Sequence, residues 1–248
     1  MVTMISPTTV YAVTGVLYTV VFAALFLWLR RIPEQYRRLC QLVLAVIAVS
    51  AVGMFLDAAR VGILVVNGTE LTIPTVVSDL VAYSVLWGIA ALLAGVSRKL
   101  LAVAVGIPLL QRLSFSVATV SGGVVALLAL GILIGGHIFL IYFYRNRIWA
   151  VAQSLPDKQR LLHWKSRNLL LFLVGMIIVF SVLALFGLFD TFVSNVLTQY
   201  MNLLIRAGFA GFLFANVTNV DIGDAADGLV DELTGDTGGD PTDPEPAD

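Results

Sequence analysis

Seven apolar stretches, most of them as long as the roughly 20 residues a helix needs to cross a bilayer, take up nearly all of this chain before its last thirty residues. Breakers and charges bound them at about 8–30, 39–66, 73–96, 98–113, 117–145, 166–188 and 191–216. Arg30-Arg31-Ile32-Pro33 closes the first and Asn67-Gly68 the second. Pro74 opens the third, where its missing N–H costs nothing. The fourth is the shortest and is interrupted by Gly106 and Pro108. Composition agrees with the pattern: 59% of the 248 residues are hydrophobic and only 12% are charged, about half the charge of soluble domains. The expectation is an all-α membrane protein, a seven-transmembrane-helix bundle, multi-pass in the cell membrane.

Charge is distributed unevenly along the chain. From Asn219 to Asp248 stand ten acids and no Lys or Arg, interspersed with Gly, Pro and Thr. Such a segment cannot bury a core and is expected to be a disordered, solvated tail. Residues 1–218 then form one membrane domain and 219–248 an acidic cytoplasmic tail. Arg outnumbers Lys twelve to three and Asp outnumbers Glu twelve to four, a composition that with the tail suggests a high-salt organism. No basic residue precedes the first apolar segment, so no cleavable signal peptide is expected.

The loops set orientation through their basic residues. With the N-terminus outside, the first inner loop holds Arg30, Arg31, Arg37 and Arg38, and the second Arg98 and Lys99. The third, around YRNRIWAVAQSLPDKQRLLHWKSR, holds Arg145, Arg147, Lys158, Arg160, Lys165 and Arg167. Twelve of fifteen basic residues thus lie inside, leaving Arg60, Arg112 and Arg206, and the C-terminus is cytoplasmic. Asn67-Gly68-Thr69 becomes an external glycosylation sequon.

Ionisable groups at membrane depth mark functional sites or costly structural networks. Here they are Asp57 and Arg60 on the second helix, Asp79 on the third, His137 on the fifth and Arg206 on the seventh. Asp57 and Arg60, three apart, are expected to share a face and pair. Asn195, Gln199, Asn202 and Arg206 are spaced 4, 3 and 4, which makes one polar stripe facing the bundle interior. This set reads as a structural network or as a hydrated path or ligand pocket. Both carboxylates fall in the outer half, so a proton relay of carboxylates at successive depths is not expected. His137 and His163 read as packing residues, and Cys40, the lone cysteine, allows no internal disulfide. No metal-ligand cluster, nucleophile–base pair or phosphate loop is present, so an enzyme is not expected.

Three passages resemble the microbial (type 1) rhodopsin family. RIPEQYRR (Arg31 to Arg38) is similar to the family's basic, Pro-containing first inner loop. Ser154-Leu155-Pro156-Asp157 followed by Arg167-Asn168 matches the order leading into its sixth helix. IRAGFAGFLF (Ile205 to Phe214) resembles the A-K-x-G-F-G stretch of its seventh helix, whose lysine holds retinal as a Schiff base. The resemblance spans about 1–220 and implies Arg206 at the retinal-lysine position. A guanidinium stays protonated and cannot form that linkage. The same matching implies Asn202 and Ala82 at the two counterion positions, and Val174, Ile177, Ile178 and Ser181 where the family has its aromatic clamp.

The resemblance therefore implies a rhodopsin-like scaffold without covalent retinal binding or light-driven pumping, and three roles follow as expectations. One is an accessory, regulatory or interaction protein, whose basic third inner loop and acidic tail meet each other, a membrane or cytoplasmic protein partner, or a second copy. Another is a receptor that binds retinal or another isoprenoid or carotenoid non-covalently, with Gly122, Gly123, Gly131, Gly135 and Gly136 either admitting the ligand or packing helices. The last is an anion pathway along the helix-seven stripe. The lipid bilayer is the expected surrounding, and no nucleic-acid partner is expected.

Overall fold

A computed structural model describes residues 6–219; residues 220–248, and with them nearly all of the expected acidic tail, lie outside the described residues. Helices α1 (Pro7–Leu29), α2 (Glu34–Ala58), α3 (Ile73–Leu92), α4 (Arg98–Val120) and α5 (Gly123–Phe143) follow one another, with a hairpin of β1 (Ile63–Val66) and β2 (Thr69–Thr72) between α2 and α3. After α5 come a π-helical turn (Tyr144–Ile148), α6 (Trp149–Ala152), α7 (Asp157–Leu185) and α8 (Thr191–Asn216). The π turn and α6 prolong α5 into one rod of 30 residues, Gly123–Ala152. The described residues thus form seven rods. Six are long and apolar enough to cross a membrane, and the seventh, α8, carries the polar stripe. This is a multi-pass membrane bundle.

Successive rods pack against one another, and α8 closes the ring onto α1 and α2. α3 lies innermost, touching α7 and α8 as well as its sequence neighbours. Up-and-down succession brings Arg30, Arg31, Arg98, Lys99, Arg145, Arg147 and Lys158 to one end of the bundle and the hairpin to the other. Counting basic residues makes the first end cytoplasmic.

Local chemistry explains the boundaries, and several differ from the sequence expectation. α2 stops at Ala58 rather than running to 66. The Val61 N–H bonds the Leu56 carbonyl (2.9 Å) and the Arg60 N–H the Asp57 carbonyl (3.0 Å), with Arg60 left-handed at φ 57°. That is a Schellman closure with an arginine where glycine is usual. Beyond it, Asn67 (φ 51°) and Gly68 (φ 79°) supply the two positive dihedrals of a type I′ hairpin turn. Val66 therefore pairs Thr69, and Ile63 pairs Thr72. The bundle is all-α, but its outer face carries this small antiparallel hairpin.

α4 runs to Val120 rather than 113, with Pro108 inside it. A proline deletes one backbone bond, which neighbouring helices make tolerable inside a membrane bundle. α5 begins at Gly123 (φ 59°) rather than at 117, after the extended Ser121 and Gly122. α7 begins at Asp157, nine residues before the expected 166, straight after Pro156. It ends at Leu185 in another Schellman closure, Leu188 to Leu183 and Gly187 to Ala184, with Gly187 at φ 75°. The long third inner loop expected around Tyr144–Arg167 therefore contracts to a short turn between Ala152 and Asp157, its basic residues lying on helix extensions. α8 is capped by Asp190, whose carboxylate accepts from the Val193 N–H at 2.7 Å.

Candidate functional site

On α8 the inward stripe runs from Gln199 and Asn202 through Ile205, Arg206, Phe209 and Ala210 to Leu213 and Phe214, at helical spacing. Asn195, a turn further out, is half-buried. Arg206 is 1% exposed. Its side chain leans toward the N-terminal, outer end of α8, as helical side chains do, and so reaches the outer halves of α2 and α3. Nη1 donates to Ser50 Oγ (2.7 Å) and Ser78 Oγ (2.9 Å), and Nη2 to Asp79 Oδ1. The guanidinium also lies over the Tyr18 ring, 5.8 Å from its centroid. Gly53 allows this meeting of helices, since a Cβ there would stand 3.3 Å from Ser78 Cβ and from the Pro74 carbonyl oxygen.

Asp79 serves a second arginine. Arg112 Nε donates to Asp79 Oδ2 at 2.7 Å, and Arg112 Nη1 to Ser116 Oγ at 2.7 Å, one turn along α4. Arg112 belongs to this network, which the sequence reading missed. Ending the fourth helix at 113 put it at a helix edge, whereas seven more residues of helix carry it well inside the bundle. The available signal was the polar run Gln111-Arg112-Leu113-Ser114-Phe115-Ser116, with Arg and Ser four apart on one face.

Arg60 leaves the network. Its left-handed position beyond α2 points it to the hairpin, where Nη2 donates to Glu70 Oε1 at 2.7 Å in a half-exposed pair. The expected Asp57–Arg60 contact is not formed, because the helix that would have aligned them ends between them. Asp57 is instead buried against α3 and accepts from Thr75 Oγ1. Asp57, Asp79, Gln199, Asn202 and Arg206 are all buried, but only Asp79 and Arg206 touch as charges.

Beside the network lies a cavity enclosing about 570 Å³ of empty space, counting its open side. Asp79, Tyr83 and Trp87, four apart on one face of α3, line it from end to end, and Tyr83 donates to Asn202 Oδ1 at 2.7 Å. Pro108, Gln111, Arg112 and Phe115 of α4 and Leu133 of α5 form one wall. Opposite them are Val174, Ile177, Ile178 and Ser181, the four positions that the resemblance matches to the aromatic clamp. Asn202, matched to a counterion, also lines the cavity; Ala82, matched to the other, is fully buried and does not. Lys99, Lys158 and Lys165 are exposed near the inner end of the bundle, and none lines the cavity.

Inward of the cavity the bundle is plugged by rings. Trp87 packs on Tyr144 (centroids 4.9 Å apart), and His163 lies between Tyr144 and Trp149 at 6.3 Å from each. Tyr144 Oη donates to the Trp87 carbonyl (2.5 Å), His163 Nδ1 to Ala90 (2.8 Å) and Gln159 Nε2 to Leu93 (3.2 Å). His163 and Gln159 serve carbonyls at the C-terminal end of α3, where a helix runs out of its own donors, and Tyr144 bonds a carbonyl one turn earlier. Arg167 sits over Trp149 at 5.0 Å and donates to the Tyr144 carbonyl, at the start of the π turn, at 3.4 Å. His163 is thus a packing residue at a helix end. His137 sits where the α5 and α7 backbones approach, its Nε2 3.0 Å from where a Cβ on Gly175 would stand. Among the helix-five glycines, only Gly136 meets a close neighbour, Gln111 of α4 at 2.8 Å; a Cβ at the other four would meet nothing within 4 Å.

No family model matches this sequence, and no curated protein matches it. Solved structures do match in shape. The light-driven proton pump of Leptosphaeria maculans superposes with a TM-score of 0.78 at 16% identity, covering 87% of this chain and 96% of that one. The thermophilic rhodopsin from Rubrobacter xylanophilus gives 0.79 at 16% identity, covering 90% and 100%. The transmembrane domain and linker region of Salpingoeca rosetta rhodopsin phosphodiesterase gives 0.74 at 13%, covering 94% and 79%. This chain has the microbial rhodopsin fold. At such identities the likeness is one of backbone architecture, and what the site does rests on its own residues.

Proposed function

We propose that this chain is a rhodopsin-like membrane protein without covalent retinal attachment or light-driven pumping, acting as a non-enzymatic receptor or regulatory protein through a ligand held non-covalently in the bundle cavity. One observation carries the reading. The α8 residue matched to the retinal lysine is Arg206, whose guanidinium is bound by Ser50, Ser78 and Asp79, and no lysine lines the cavity beside it. A Schiff base needs a neutral amine at the moment of attack, and a guanidinium does not supply one. The donor set therefore does not fit covalently bound retinal.

The cavity itself favours a ligand role over a role confined to protein contacts. It opens on one side, and its walls are mostly apolar with a few converging polar groups, as in small-molecule sites. The basic inner loop that motivated a protein partner is largely helix, so its charges serve topology without any partner.

The test is an absorption spectrum of the purified chain incubated with all-trans-retinal. The expected result is that any retinal-derived visible band disappears on extraction with organic solvent. A red-shifted band that survives denaturation and borohydride treatment as a protein adduct would overturn the reading.

A further inference from the structure

Resting on the cavity's being a ligand site, the geometry points to an anionic ligand: we propose that it takes an apolar molecule ending in a single carboxylate, received by Arg112. The network has a charge imbalance. Two guanidinium groups share one carboxylate, Arg206 on Oδ1 and Arg112 on Oδ2 of Asp79. Among the described residues no other acid reaches either arginine. Asp57 is bonded to Thr75 and lies two turns outward of Ser50 along α2, and Glu70 is paired with Arg60 on the hairpin. Asp57 is buried elsewhere in the bundle, so within the contacting set two cations face one carboxylate. A buried ion without a counter-charge is costly.

That surplus faces the cavity. Arg206 does not line it; two hydroxyls and the Tyr18 ring surround its guanidinium besides Asp79, and its Nε, buried without a partner among the described residues, lies away from the cavity lining. Arg112 does line it, and its partners besides Asp79 are uncharged, the Ser116 hydroxyl and the Phe115 ring 5.5 Å away. The planar fork of an arginine matches a carboxylate better than any other common anion except phosphate. From Asp79 to Trp87 the α3 wall extends over eight residues, roughly 12 Å at 1.5 Å per residue. Beyond the charged pole that wall faces Phe115, Leu133, Val174, Ile177 and Ile178. A halide would neutralise Arg112 but leave this apolar slot empty. An acid with a hydrocarbon body satisfies both ends. At the inner end the Trp87 indole N–H, fully buried, has no acceptor among the described residues.

The experiment titrates the full-length chain in detergent with two matched pairs, all-trans-retinoic acid against retinol and palmitic acid against hexadecanol, read by quenching of tryptophan fluorescence or by calorimetry. At least one acid is expected to bind about tenfold or more tightly than its alcohol, the worth of one charge-assisted contact. Arg112→Gln should erase that preference, and Arg112→Lys should retain part of it. Because Arg112→Gln relieves the surplus charge and leaves Asp79 paired with Arg206, the variant is expected to fold. Acid and alcohol binding equally would overturn the headgroup assignment and leave the cavity reading standing. Sodium chloride abolishing the acid's advantage at millimolar concentration, with a larger rise in melting temperature than the acid gives, would assign the pole to a small anion instead. No binding by any of the four would overturn the ligand reading and this inference together.

Discussion

On the outer side of the cavity Asp79 bridges Arg112 and Arg206, whereas on the inner side Tyr144, His163 and Gln159 donate to the carbonyls of Trp87, Ala90 and Leu93. Both regions tie α3 to its neighbours, but by different physics. The outer contacts depend on charge, so each member is costly to bury alone and strongly coupled to the others. The inner contacts combine stacked rings with neutral hydrogen bonds to backbone, and each is worth less by itself. This bundle keeps its electrostatic specificity next to the cavity and its shape-filling rigidity beneath it. A charge placed in the cavity would act on the outer network, while the inner plug would be left untouched.

The largest effect should come from Asp79→Asn, which strands two buried guanidinium groups. A loss of about 3–5 kcal/mol is expected from breaking a buried pair by removing one partner, read as a lowered melting temperature in detergent. Combined with Arg206→Gln, the double variant should lose clearly less than the sum of the single losses. Additive losses would mean that the two side chains do not act as a pair, and the contrast between the regions would collapse. Tyr144→Phe, which leaves the ring packing and deletes only the hydroxyl, should cost about 1 kcal/mol. A loss as large as that of Asp79→Asn would show the inner plug to be as interdependent as the outer network.

Gly187→Ala probes a part of the chain outside both regions. Its left-handed φ of 75° closes α7, and alanine there should cost about 1 kcal/mol without altering ligand binding. Glu70→Gln should have the smallest effect, under about 0.5 kcal/mol, because the Arg60–Glu70 pair is half exposed. Its melting curve should overlay that of the unaltered chain at moderate salt. A shift of several degrees would make the hairpin part of the charged network after all.

Local patterns in the sequence carried much of this far. Hydropathy located every rod, and the 4, 3, 4 spacing of Asn195, Gln199, Asn202 and Arg206 announced an inward stripe on α8. Other local signals were present but outweighed by the apolar run around them. Asn67-Gly68 between alternating residues is a strong hairpin turn signal, yet Val61 to Val66 reads equally as the end of a long helix. Gly187 and Pro156 marked the ends of α7 in the same way. Arg112 was obscured for a different reason. Pro108 and Gly106 suggest a broken helix, and only packing of α4 between α3 and α5 keeps the rod continuous past them.

The amino-acid order alone fixed the number of rods, their direction through the bilayer and the absence of a lysine from the membrane-embedded parts of the last helix. These follow from short-range quantities: apolar length, basic residues at the joints and the identity of single positions. Pairing across the bundle did not follow. Asp79 meets Arg112, 33 residues away, and Arg206, 127 residues away, while Arg60, three residues from Asp57, turns away from it. Charges choose partners through space, and in a ring of seven helices the rotation and depth of each rod decide which side chains share that space. For that reason the surplus cation beside the cavity emerges only once the bundle is assembled.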